Sequence, residues 1–380
     1  MIWTAEYIIA LCLAILWLYQ LYFWLRYLAA PLHYKPKFQE ESKPIGVSVI
    51  VCARNEQCNL TDYLQALLMQ DYPLYEVIVV DDSSEDATHD MLIEWTKVYP
   101  RLKTTFVPKG ANVISTKKLA LTLGAKAAHY DYLLLIDADC RPETKHWISE
   151  MVRGFAQHPN GARADIVLGV GLYFRRPGML NRMICFDTMF SALQYTGFAI
   201  HHKPYMGIGR NLAYSKRLFF EQGGFSKILE YRSGDDDLFV NRAANRLNTE
   251  VITTPYSITW SSPKMTWKEW LFQKRRHLSV SSAYSTQSKR RIGFEPLTRA
   301  MFYVLAILLC TTGSWQLQLL TGALFLLRWI WQAIILNCAA SKWGTRKHFL
   351  LIPLWETLLP IVTLFILVNH KIRKQPLRQW

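Results

Sequence analysis

The chain lacks the cysteine and histidine groupings that mark zinc sites and disulfide frameworks. Its seven cysteines are scattered between Cys12 and Cys338, and none forms a CxxC pair. A structural zinc site needs closely spaced Cys or His ligands. Cys52 and Cys58 are near one another in sequence, but a strand end and the loop or helix that follows give no reason for a bridge. The sequence therefore predicts free thiols in a reducing cytosol.

Glycine-rich phosphate loops are missing as well. Neither GxGxxG nor the patterns GxxxxGKS and GxxxxGKT occur in the chain. Their absence excludes the common phosphate loops of dinucleotide-binding proteins and P-loop enzymes. The sequence also has no internal repeat and no low-complexity segment, which excludes solenoid and array architectures.

Apolar and basic residues are abundant. Of the 380 residues, 51% are hydrophobic and 14 are tryptophan, which is rich for a soluble enzyme. The formal net charge of +15 suits nucleic acid, acidic phospholipid head groups or phosphorylated small molecules. The basic residues gather beside apolar segments and form no stripe with stacking aromatics. We therefore expect a lipid bilayer as a partner and no nucleic acid.

The first long apolar segment, Ile8 to Leu25, predicts an N-terminal transmembrane helix. It has one clearly polar residue and is long enough to cross about 30 Å of hydrocarbon. A cleaved signal peptide would have a basic start and a shorter apolar core. Here the basic residues Arg26, Lys35 and Lys37 follow the segment. By the positive-inside rule, the next domain is expected in the cytoplasm, and the protein in a plasma or inner membrane.

A second apolar region runs from Leu297 to Val368. Candidate spans lie near 297–314, 316–337 and 349–368, so two or three spans fit. Three spans would place the basic tail HKIRKQPLR outside, against the positive-inside rule, unless one segment is re-entrant or interfacial. The number of C-terminal spans and the tail orientation stay open.

Between the apolar ends, short apolar runs alternate with amphipathic stretches. This alternation predicts an α/β domain with a mostly parallel sheet. Leucines at helical spacing predict a crossover helix after the first strand, with Asn59 or Thr61 as its cap. Ligands bind open sheets at the carboxyl ends of the strands, so ARNE, DDSSED and DADC are expected on one rim. The predicted strands are 46–54, 76–82, 103–107 and 132–139.

Asp137 and Asp139 are the first candidate site residues. They flank Ala138 at the end of an apolar strand, and the period of two points both carboxylates to one side. Mg²⁺ or Mn²⁺ prefers oxygen ligands and commonly takes one or two carboxylates beside water and phosphate oxygens. A solvated strand end is the alternative interpretation, because acidic residues are common there.

Two further acidic clusters follow the same pattern. Asp81 and Asp82 follow a buried apolar run, and their carboxylates could accept hydrogen bonds from a base or a ribose, or simply form a turn. The cluster 234–237, GDDD, opens a predicted helix. The positive end of that helix favours carboxylates, so N-terminal capping competes with catalysis as the role of this cluster.

The segment WKEWLFQKRRHLSV combines aromatic and basic residues and predicts an interfacial helix. A basic amphipathic helix resting on anionic lipid and a site-lining helix are both compatible with it. The stretch 180–207, before the GDDD cluster, is rich in Met, Phe and Tyr and is expected to roof one side of the site. It includes the adjacent His201 and His202, but adjacent residues usually point apart and no third ligand is evident, which argues against a metal there.

Taken in order, these clusters resemble the membrane-bound family 2 glycosyltransferases, the group that includes cellulose, hyaluronan and ceramide-glucoside synthases. The resemblance covers roughly residues 46–280 and implies the GT-A fold, a Rossmann-like α/β domain with a mostly parallel sheet. The stretches that carry it are VSVIVCARNE, EVIVVDDSSED, STKKLALTLGAKAAHYDYLLLIDADCRP, GIGRNLAYSKRLFFEQGGF, SGDDDLFVNR and QKRRH. The resemblance is specific because of the order and spacing of all six stretches. No single stretch is decisive.

The resemblance also implies roles for individual residues. The second member of the acidic pair is the general base in the family, which implies Asp236 as the catalytic base with Asp235 as its supporting neighbour; Asp237 lies outside the mechanism. The family's QxxRW pattern is matched at Gln273 and Arg276, but His277 replaces the tryptophan, which weakens a prediction of processive synthesis. The remaining implied residues are Ala53, Arg54, Glu56, Asp82, Lys117 and Asp137 for the donor, Asp139 and Asp137 for the metal, and Gln273, Arg276 and His277 for the diphosphate and acceptor.

The sequence as a whole predicts an inverting glycosyltransferase that uses Mg²⁺ or Mn²⁺. Its donor would be a nucleotide-sugar, with UDP preferred over GDP, and its acceptor a membrane-associated glycan or lipid. A membrane nucleotidyltransferase would not explain GDD followed by QxxR, and the intact acidic and basic residues argue against an inactive scaffold. The expected organisation is a membrane helix at 1–32, a catalytic domain at 44–262, an interfacial segment at 263–296 and a membrane region at 297–370.

Overall fold

A computed structural model of the chain describes residues 5–36, 38, 43–110, 113–157, 161 and 163–373. Lys37 and residues 374–378 of the basic tail, whose orientation the sequence leaves open, lie outside the described residues. Ten strands are present within this part of the chain. They are β1 (Val47–Ala53), β2 (Tyr75–Asp81), β3 (Leu102–Phe106), β4 (Tyr132–Asp137), β5 (Cys140–Pro142), β6 (Ile166–Leu168), β7 (Gly171–Tyr173), β8 (Leu212–Ser215), β9 (Thr249–Val251) and β10 (Thr259–Ser261).

Seven of the described strands form one mixed sheet in the order β3-β2-β1-β4-β8-β6-β9. The pairs β2/β3, β1/β2, β1/β4 and β6/β9 are parallel, whereas β8 is antiparallel to both of its neighbours. Every residue of β1 and β2 is buried. Helices cover both faces of a parallel sheet, which explains why these strands read as continuous apolar runs. The expected mostly parallel α/β fold is confirmed.

The described helices alternate with these strands and then take over the C-terminal third. They are α1 (Ala5–Phe23), α2 (Ala30–His33), α3 (Gln57–Leu68), α4 (Thr88–Val98), α5 (Thr116–Ala127), α6 (Trp147–Val152), α7 (Met179–Ile200), α8 (Lys216–Glu221), α9 (Asp237–Ala243), α10 (Trp267–Ser279), α11 (Thr286–Thr312), α12 (Trp315–Lys342) and α13 (Ile352–Arg373). A π-helical turn, Trp24–Leu28, connects α1 to α2.

The predicted crossover helix is α3, and its buried face consists of Leu60, Leu64, Leu67 and Leu68. The predicted caps are wrong. The helix begins at Gln57 with Glu56 in the capping position, so Asn59 and Thr61 lie inside its first turns. Asn59 instead donates a hydrogen bond back to the Glu56 carboxylate over 2.5 Å.

A second, three-stranded sheet lies beside the carboxyl end of β4, in the order β5-β10-β7. Strand β10 pairs antiparallel with β5 and parallel with β7. This small sheet fixes three positions around the rim of the main sheet, because Cys140, Ser261 and Tyr173 are partners in one register.

Among the described helices, three are long and apolar enough to cross a membrane: the run Ala5–His33, α11 and α12. Helix α13 has a shorter apolar stretch, Ile352–Val368. Along α1, the outward residues Ile8, Leu11 and Ile15 are each more than half exposed. An apolar stripe on the outside of a helix suits contact with lipid rather than water.

Helices α11, α12 and α13 share a buried ionic group made of Glu295, Arg299, Arg328 and Glu356. Arg299 lies 3.1 Å from Glu295 and 3.5 Å from Glu356, and Arg328 forms an ion pair with Glu356. Gln20 on α1 joins them by donating to the Glu295 carbonyl and to Thr298. Two acids and two bases balance, which is the arrangement that charges need away from water.

Candidate active site

The carboxyl ends of β1, β2 and β4 lie side by side and form the floor of the site. Ala53 is in register with Asp81, and Cys52 is in register with Asp137. The backbone N–H of Asp82 donates to the Ala53 carbonyl over 2.8 Å, so Ala53 contributes only its main chain. As predicted from parallel strands, the three polar clusters meet at one rim.

Arg54, Asp82 and Glu56 line the β1 and β2 side of this rim. The Arg54 guanidinium lies 4.0 Å from the Asp82 carboxylate, which is buried. Glu56 is half-buried at the start of α3, and burial raises its pKa. Asp137 and Asp139 lie near enough to Glu56 to raise that pKa further. Glu56 therefore lies near Asp137, at the end of β4, and near Asp139, in the turn that follows β4.

Asp137 and Asp139 lie together, although the predicted strand through residue 139 is wrong. Strand β4 ends at Asp137, and a turn at Ala138 and Asp139 leads into β5. The turn brings ligand atoms of Asp137, Asp139 and Cys140 within 4.8 Å of one another. Burial and the charge of Asp137 raise the pKa of Asp139. Two carboxylates that oppose each other's ionisation are the arrangement that a divalent cation stabilises.

Cys140 supports this pair rather than ligating through sulfur. Its thiol is buried, donates to Asp139 over 3.1 Å and lies 2.8 Å from the Ser261 hydroxyl. Burial and the charge of Asp139 raise the thiol pKa well above its usual range. Because a hard cation prefers oxygen ligands, the two carboxylates fit Mg²⁺ or Mn²⁺, and the thiol holds Asp139 in place.

Lys117 connects Asp137 of β4 to the GDDD cluster. Its Nζ lies 2.9 Å from Asp137 and 3.4 Å from Asp235. Although burial opposes ionisation, Lys117 lowers the pKa of Asp137. A small cleft lined by Lys117, Asp137 and Asp235 also includes Gly209 and Cys52. Lys117 and Asp137 of the predicted donor set and Asp235 of the predicted catalytic pair therefore line one cavity.

Asp236 lies at the N-terminus of α9 and caps it. One carboxylate oxygen accepts from the Asp237 N–H over 2.8 Å, and the other accepts from the Gly209 N–H over 2.7 Å. Asp236 therefore caps the helix, which is one of the two roles that the sequence left open for this cluster. Burial and the charge of Asp235 raise the pKa of Asp236, so the same carboxylate is also suited to accept a proton. Capping and catalysis do not exclude each other here.

Asp237 points away from the other two aspartates toward a different partner. Its carboxylate is buried and accepts from the Tyr284 hydroxyl over 2.7 Å and from the Leu238 N–H. Burial and the charge of Asp236 raise its pKa to about 8. These contacts support the prediction that leaves Asp237 outside the mechanism.

Lys118 is a residue that the sequence interpretation missed. Its side chain is 1% exposed and donates to the carbonyls of Ile228 and Ser233 over 2.7 and 2.9 Å, and also to that of Tyr231. The ammonium thus holds the loop that precedes the GDDD cluster. A lysine beside Lys117 in STKKLAL was visible, but no local pattern reveals a contact 115 positions away.

Helix α10 carries the predicted residues Gln273, Arg276 and His277. It begins with a capping box between Thr266 and Glu269. Gln273 donates to the Tyr173 hydroxyl over 3.0 Å, and Arg276 lies near enough to Asp137 to lower its pKa. The His277 side chain is exposed, yet desolvation by the surrounding protein and the charges of Arg276 and Lys274 lower its pKa to about 3. His277 is therefore neutral at ordinary pH.

Arg210 is the second functional residue that the sequence interpretation missed, although it lies within the quoted stretch GIGRNLAY. Its guanidinium lies 4.3 Å above the Tyr173 ring and donates to the Gly171 carbonyl over 3.3 Å. Its Nε is buried and has no hydrogen-bond partner among the residues described. The charge also reaches Asp137 and Asp139. Arg210 therefore offers a half-buried cation beside the candidate metal ligands.

His201 and His202, weighed as metal ligands, end helix α7 away from this cleft. The His201 ring packs edge-on against Tyr27 at 5.5 Å, and His202 has a positive φ of 58° just beyond the helix. Within the described residues, the one group of three acidic, histidine or cysteine ligands is that of Asp137, Asp139 and Cys140.

Comparison with known proteins bears on the family and the fold. Residues 48–219 match the family model described as glycosyl transferase family 2. Over 382 residues the chain is 25% identical to the probable glycosyltransferase YdaM of Bacillus subtilis (strain 168), covering 90% of this chain and 88% of that relative. A shorter match, 32% identical over 100 residues, is with the poly-beta-1,6-N-acetyl-D-glucosamine synthase of Staphylococcus epidermidis, covering 26% of this chain and 23% of that relative.

A solved structure has the same fold. The mannosyltransferase PcManGT from Pyrobaculum calidifontis, in complex with GDP-Man and Mn²⁺, superposes with a TM-score of 0.54. It is 21% identical and is matched over 89% of this chain and 98% of its own length. This likeness confirms the GT-A architecture. The family match identifies residues 48–219 as a glycosyl transferase family 2 domain, and the likeness to YdaM along most of the chain supports a family 2 glycosyltransferase.

Proposed function

We propose that the protein transfers a sugar from a nucleoside-diphosphate-sugar to a hydroxyl of a membrane-associated glycan or lipid, with inversion at the anomeric carbon. The observation that carries the proposal is the position of Lys117 between Asp137 and Asp235 in one cleft. The first aspartate belongs to the donor half of the site, and the second adjoins Asp236. One ammonium group thus links the two halves that a transfer reaction must bring together.

The donor half consists of the rim of β1, β2 and β4. Glu56 and Asp82 supply carboxylate acceptors for the base and ribose of the nucleoside, beside Arg54 and the Ala53 main chain. Lys117 and Asp137 lie where the diphosphate would follow. UDP is the preferred nucleotide of the donor. GDP is the alternative, because the mannosyltransferase structure contains GDP-Man.

Asp137 and Asp139 are the residues that would hold Mg²⁺ or Mn²⁺, and the Mn²⁺ in the mannosyltransferase structure supports a divalent ion. A bound cation would offset the negative charge of the diphosphate leaving group. Arg210 and Arg276 lie close enough to act on the same charge from the protein side. In a partly desolvated site such fixed charges are commonly worth several kcal/mol.

Asp236 is the proposed base. It removes the proton of the acceptor hydroxyl while the oxygen attacks the anomeric carbon from the face opposite the diphosphate. Asp235 supports it, and the raised pKa of Asp236 brings the carboxylate nearer to the working pH, where a base is most effective. Gln273 and the neutral His277 lie on the acceptor side. A small neutral ring in place of a broad tryptophan suits single additions better than threading a polymer.

The acceptor would reach the cleft along the membrane. Helix α10 exposes Trp267, Leu271 and Phe272, as an interfacial helix does. We propose a membrane anchor at 1–32, a cytoplasmic catalytic domain at 44–262, an interfacial segment at 263–296 and a membrane region at 297–370. Helix α11 (Thr286–Thr312) crosses the boundary between the interfacial segment and the membrane region.

The test is transfer by the purified full chain in detergent. UDP-sugars and GDP-sugars are supplied in turn with Mn²⁺ or Mg²⁺ and a membrane lipid and glycan extract, and the released nucleoside diphosphate is measured. We expect nucleoside diphosphate to be released from one class of nucleotide-sugar. The release should be lost in EDTA and in Asp139→Asn, whereas the control Asp90→Asn, on the exposed face of α4, should keep it. NMR of the product then gives the anomeric configuration. Retention of configuration would contradict the inverting mechanism, and nucleotide release without transfer would contradict the proposed function.

A further inference from the structure

A cluster of basic side chains lies where the end of β7, the start of α7 and the α12–α13 loop meet. Arg175 donates to the Gly344 carbonyl, and Arg346 donates to the Arg176 carbonyl over 3.0 Å. The loop rests on α7, since the His348 ring packs edge-on against Phe186 at 5.4 Å. Except for the half-buried Arg346, the members are exposed. We call this the basic cluster: Arg175, Arg176, Arg182, Arg346 and Lys347.

The basic cluster has no acidic counterpart in the part of the chain that the structure describes. None of its five cations forms an ion pair there, and the carboxylate of the nearby Asp187 on α7 is taken by Lys274. Burial and the charges of Arg346 and Arg182 lower the pKa of His348 to about 4. The ring is therefore neutral and adds no charge to the basic cluster. Like charges gathered without a partner produce a positive potential that favours an anion.

An apolar groove begins at the basic cluster and runs along α12. Its volume is about 670 Å³, and its lining includes Trp329, Ile334, Cys338 and Phe349, with Lys347 among the residues at its edge. Two hydrogen bonds hold its outer wall, from Trp329 Nε1 to the Phe349 carbonyl and from Asn337 to the His348 carbonyl. From Trp329 to Ser341 the helix rises about 18 Å, which is close to half of a hydrocarbon core of about 30 Å.

We propose that the groove and the basic cluster together bind one anionic phospholipid of the surrounding bilayer. Its phosphate lies against Arg176, Arg182 and Lys347, and one acyl chain lies in the groove along α12. The two features match the two parts of such a molecule in charge, apolarity and length, and they meet at Lys347. The inference rests on the membrane placement of the proposed function but not on the transfer reaction.

The exposed side chains beside the cluster agree with this position. Phe349 is 56% exposed and Leu350 is 79% exposed. Apolar side chains directly beside unpaired cations are the pattern of a segment at the boundary between head groups and acyl chains. A zwitterionic lipid would fill the groove equally well, but it would leave the cations without a net negative partner, so the anionic lipid is expected to bind more tightly.

The experiment uses the full chain in a neutral detergent and native mass spectrometry. Phosphatidylglycerol and phosphatidylcholine with identical acyl chains are titrated, and we expect the first to bind at least about tenfold more tightly. The variant Arg176→Gln/Arg182→Gln/Lys347→Gln should lose this preference. Its control, Lys97→Gln/Lys126→Gln/Lys145→Gln, removes the same charge from exposed positions on the soluble domain and should keep it.

A second variant tests the groove. Cys338→Trp fills it from an exposed position on α12, and it should weaken binding of both lipids. Equal binding of the two lipids by the unaltered chain, or a preference that survives the loss of Arg176, Arg182 and Lys347, would overturn the proposal. Displacement of phosphatidylglycerol by inorganic phosphate alone would show that the site takes a free phosphate and not a lipid. A chain released from membranes by alkaline carbonate would instead refute the membrane placement itself.

Discussion

Lys117 Nζ lies 3.4 Å from the Asp235 carboxylate, and the same ammonium lies 2.9 Å from Asp137. The two aspartates come from parts of the chain almost one hundred residues apart. Their charges raise the pKa of Lys117 well above its usual range, even though burial opposes ionisation. The site therefore keeps one fixed positive charge between its two acidic halves, at the point where a diphosphate would enter.

Replacing Lys117 with Met should abolish most of the transfer activity. The substitution removes the charge that separates Asp137 from Asp235 and leaves the two carboxylates facing each other. We expect kcat/KM to fall at least about 100-fold, which corresponds to roughly 2.7 kcal/mol of transition-state stabilisation. Steady-state release of nucleoside diphosphate measures it. Lys126→Met, at an exposed position on the same helix, is the matched control, and activity of Lys117→Met within threefold of that control would contradict this role.

Lys118→Met should disturb the position of the catalytic aspartates rather than the binding of the donor. The ammonium holds the carbonyls of Ile228 and Ser233, so its loss frees the loop that leads to Asp235 and Asp236. We expect kcat to fall by at least about tenfold with little change in the donor KM. Hydrogen exchange of the amides of 228–233 provides the structural readout, and it should accelerate. Unchanged exchange together with a raised donor KM would show that Lys118 binds the donor instead.

Asp237→Asn should make the protein less sensitive to alkaline pH. The pKa of Asp237 is raised to about 8 in the folded protein, against about 3.9 in an unfolded chain. Between these values the unfolded chain releases a proton that the folded protein keeps, so stability falls as pH rises, by up to about 1.4 kcal/mol per pH unit. Because asparagine does not titrate, the variant lacks this loss of stability at high pH.

The measurement is the melting temperature of Asp237→Asn relative to the unaltered protein, at pH 5 and at pH 8. The difference should shift in favour of the variant at pH 8. The exposed Asp90→Asn serves as the control and should show no such shift. A difference that is the same at both pH values would mean that Asp237 is ionised in the folded state.

Glu356→Gln should destabilise the packing of helices α11, α12 and α13. The carboxylate faces both Arg299 and Arg328, and its loss leaves two buried guanidinium groups with Glu295 as their one acidic partner within the described group. Removing one partner of a buried ion pair costs about 3 to 5 kcal/mol. The melting temperature in detergent should fall by several degrees, whereas Glu94→Gln, in an exposed pair on α4, should change little. Recovery in Glu356→Gln/Arg328→Gln would identify charge balance as the cause.

Local pattern accounts for the parts of the fold that sequence predicted well. The apolar runs that become β1 and β2 and the leucine face of α3 are short-range features, and the parallel sheet then brings Asp82 and Asp137 to one rim. Details that depend on long-range contact were missed. Asp139 belongs to a turn because β5 pairs with the distant β10, and Lys118 and Arg210 take their roles from partners that lie in other parts of the chain or in the small second sheet.

The departure at His277 shows the same limit. The sequence identifies the exchange of tryptophan for histidine, but the neutral state of the ring depends on its enclosure and on neighbouring cations from α10. A residue pattern names the side chain, whereas its protonation state follows from packing.

The central claim, that Asp236 is the base facing a donor held by Asp137 and Lys117, is tested most directly by Asp236→Asn. Asparagine also caps helices well, so α9 should stay intact while the proton acceptor is lost. Single-turnover transfer and binding of the nucleotide-sugar are measured on the same preparation. We expect binding to be retained and the rate of transfer to fall by about 10² to 10⁴. Transfer within twofold of the unaltered protein, with donor binding intact, would contradict the account.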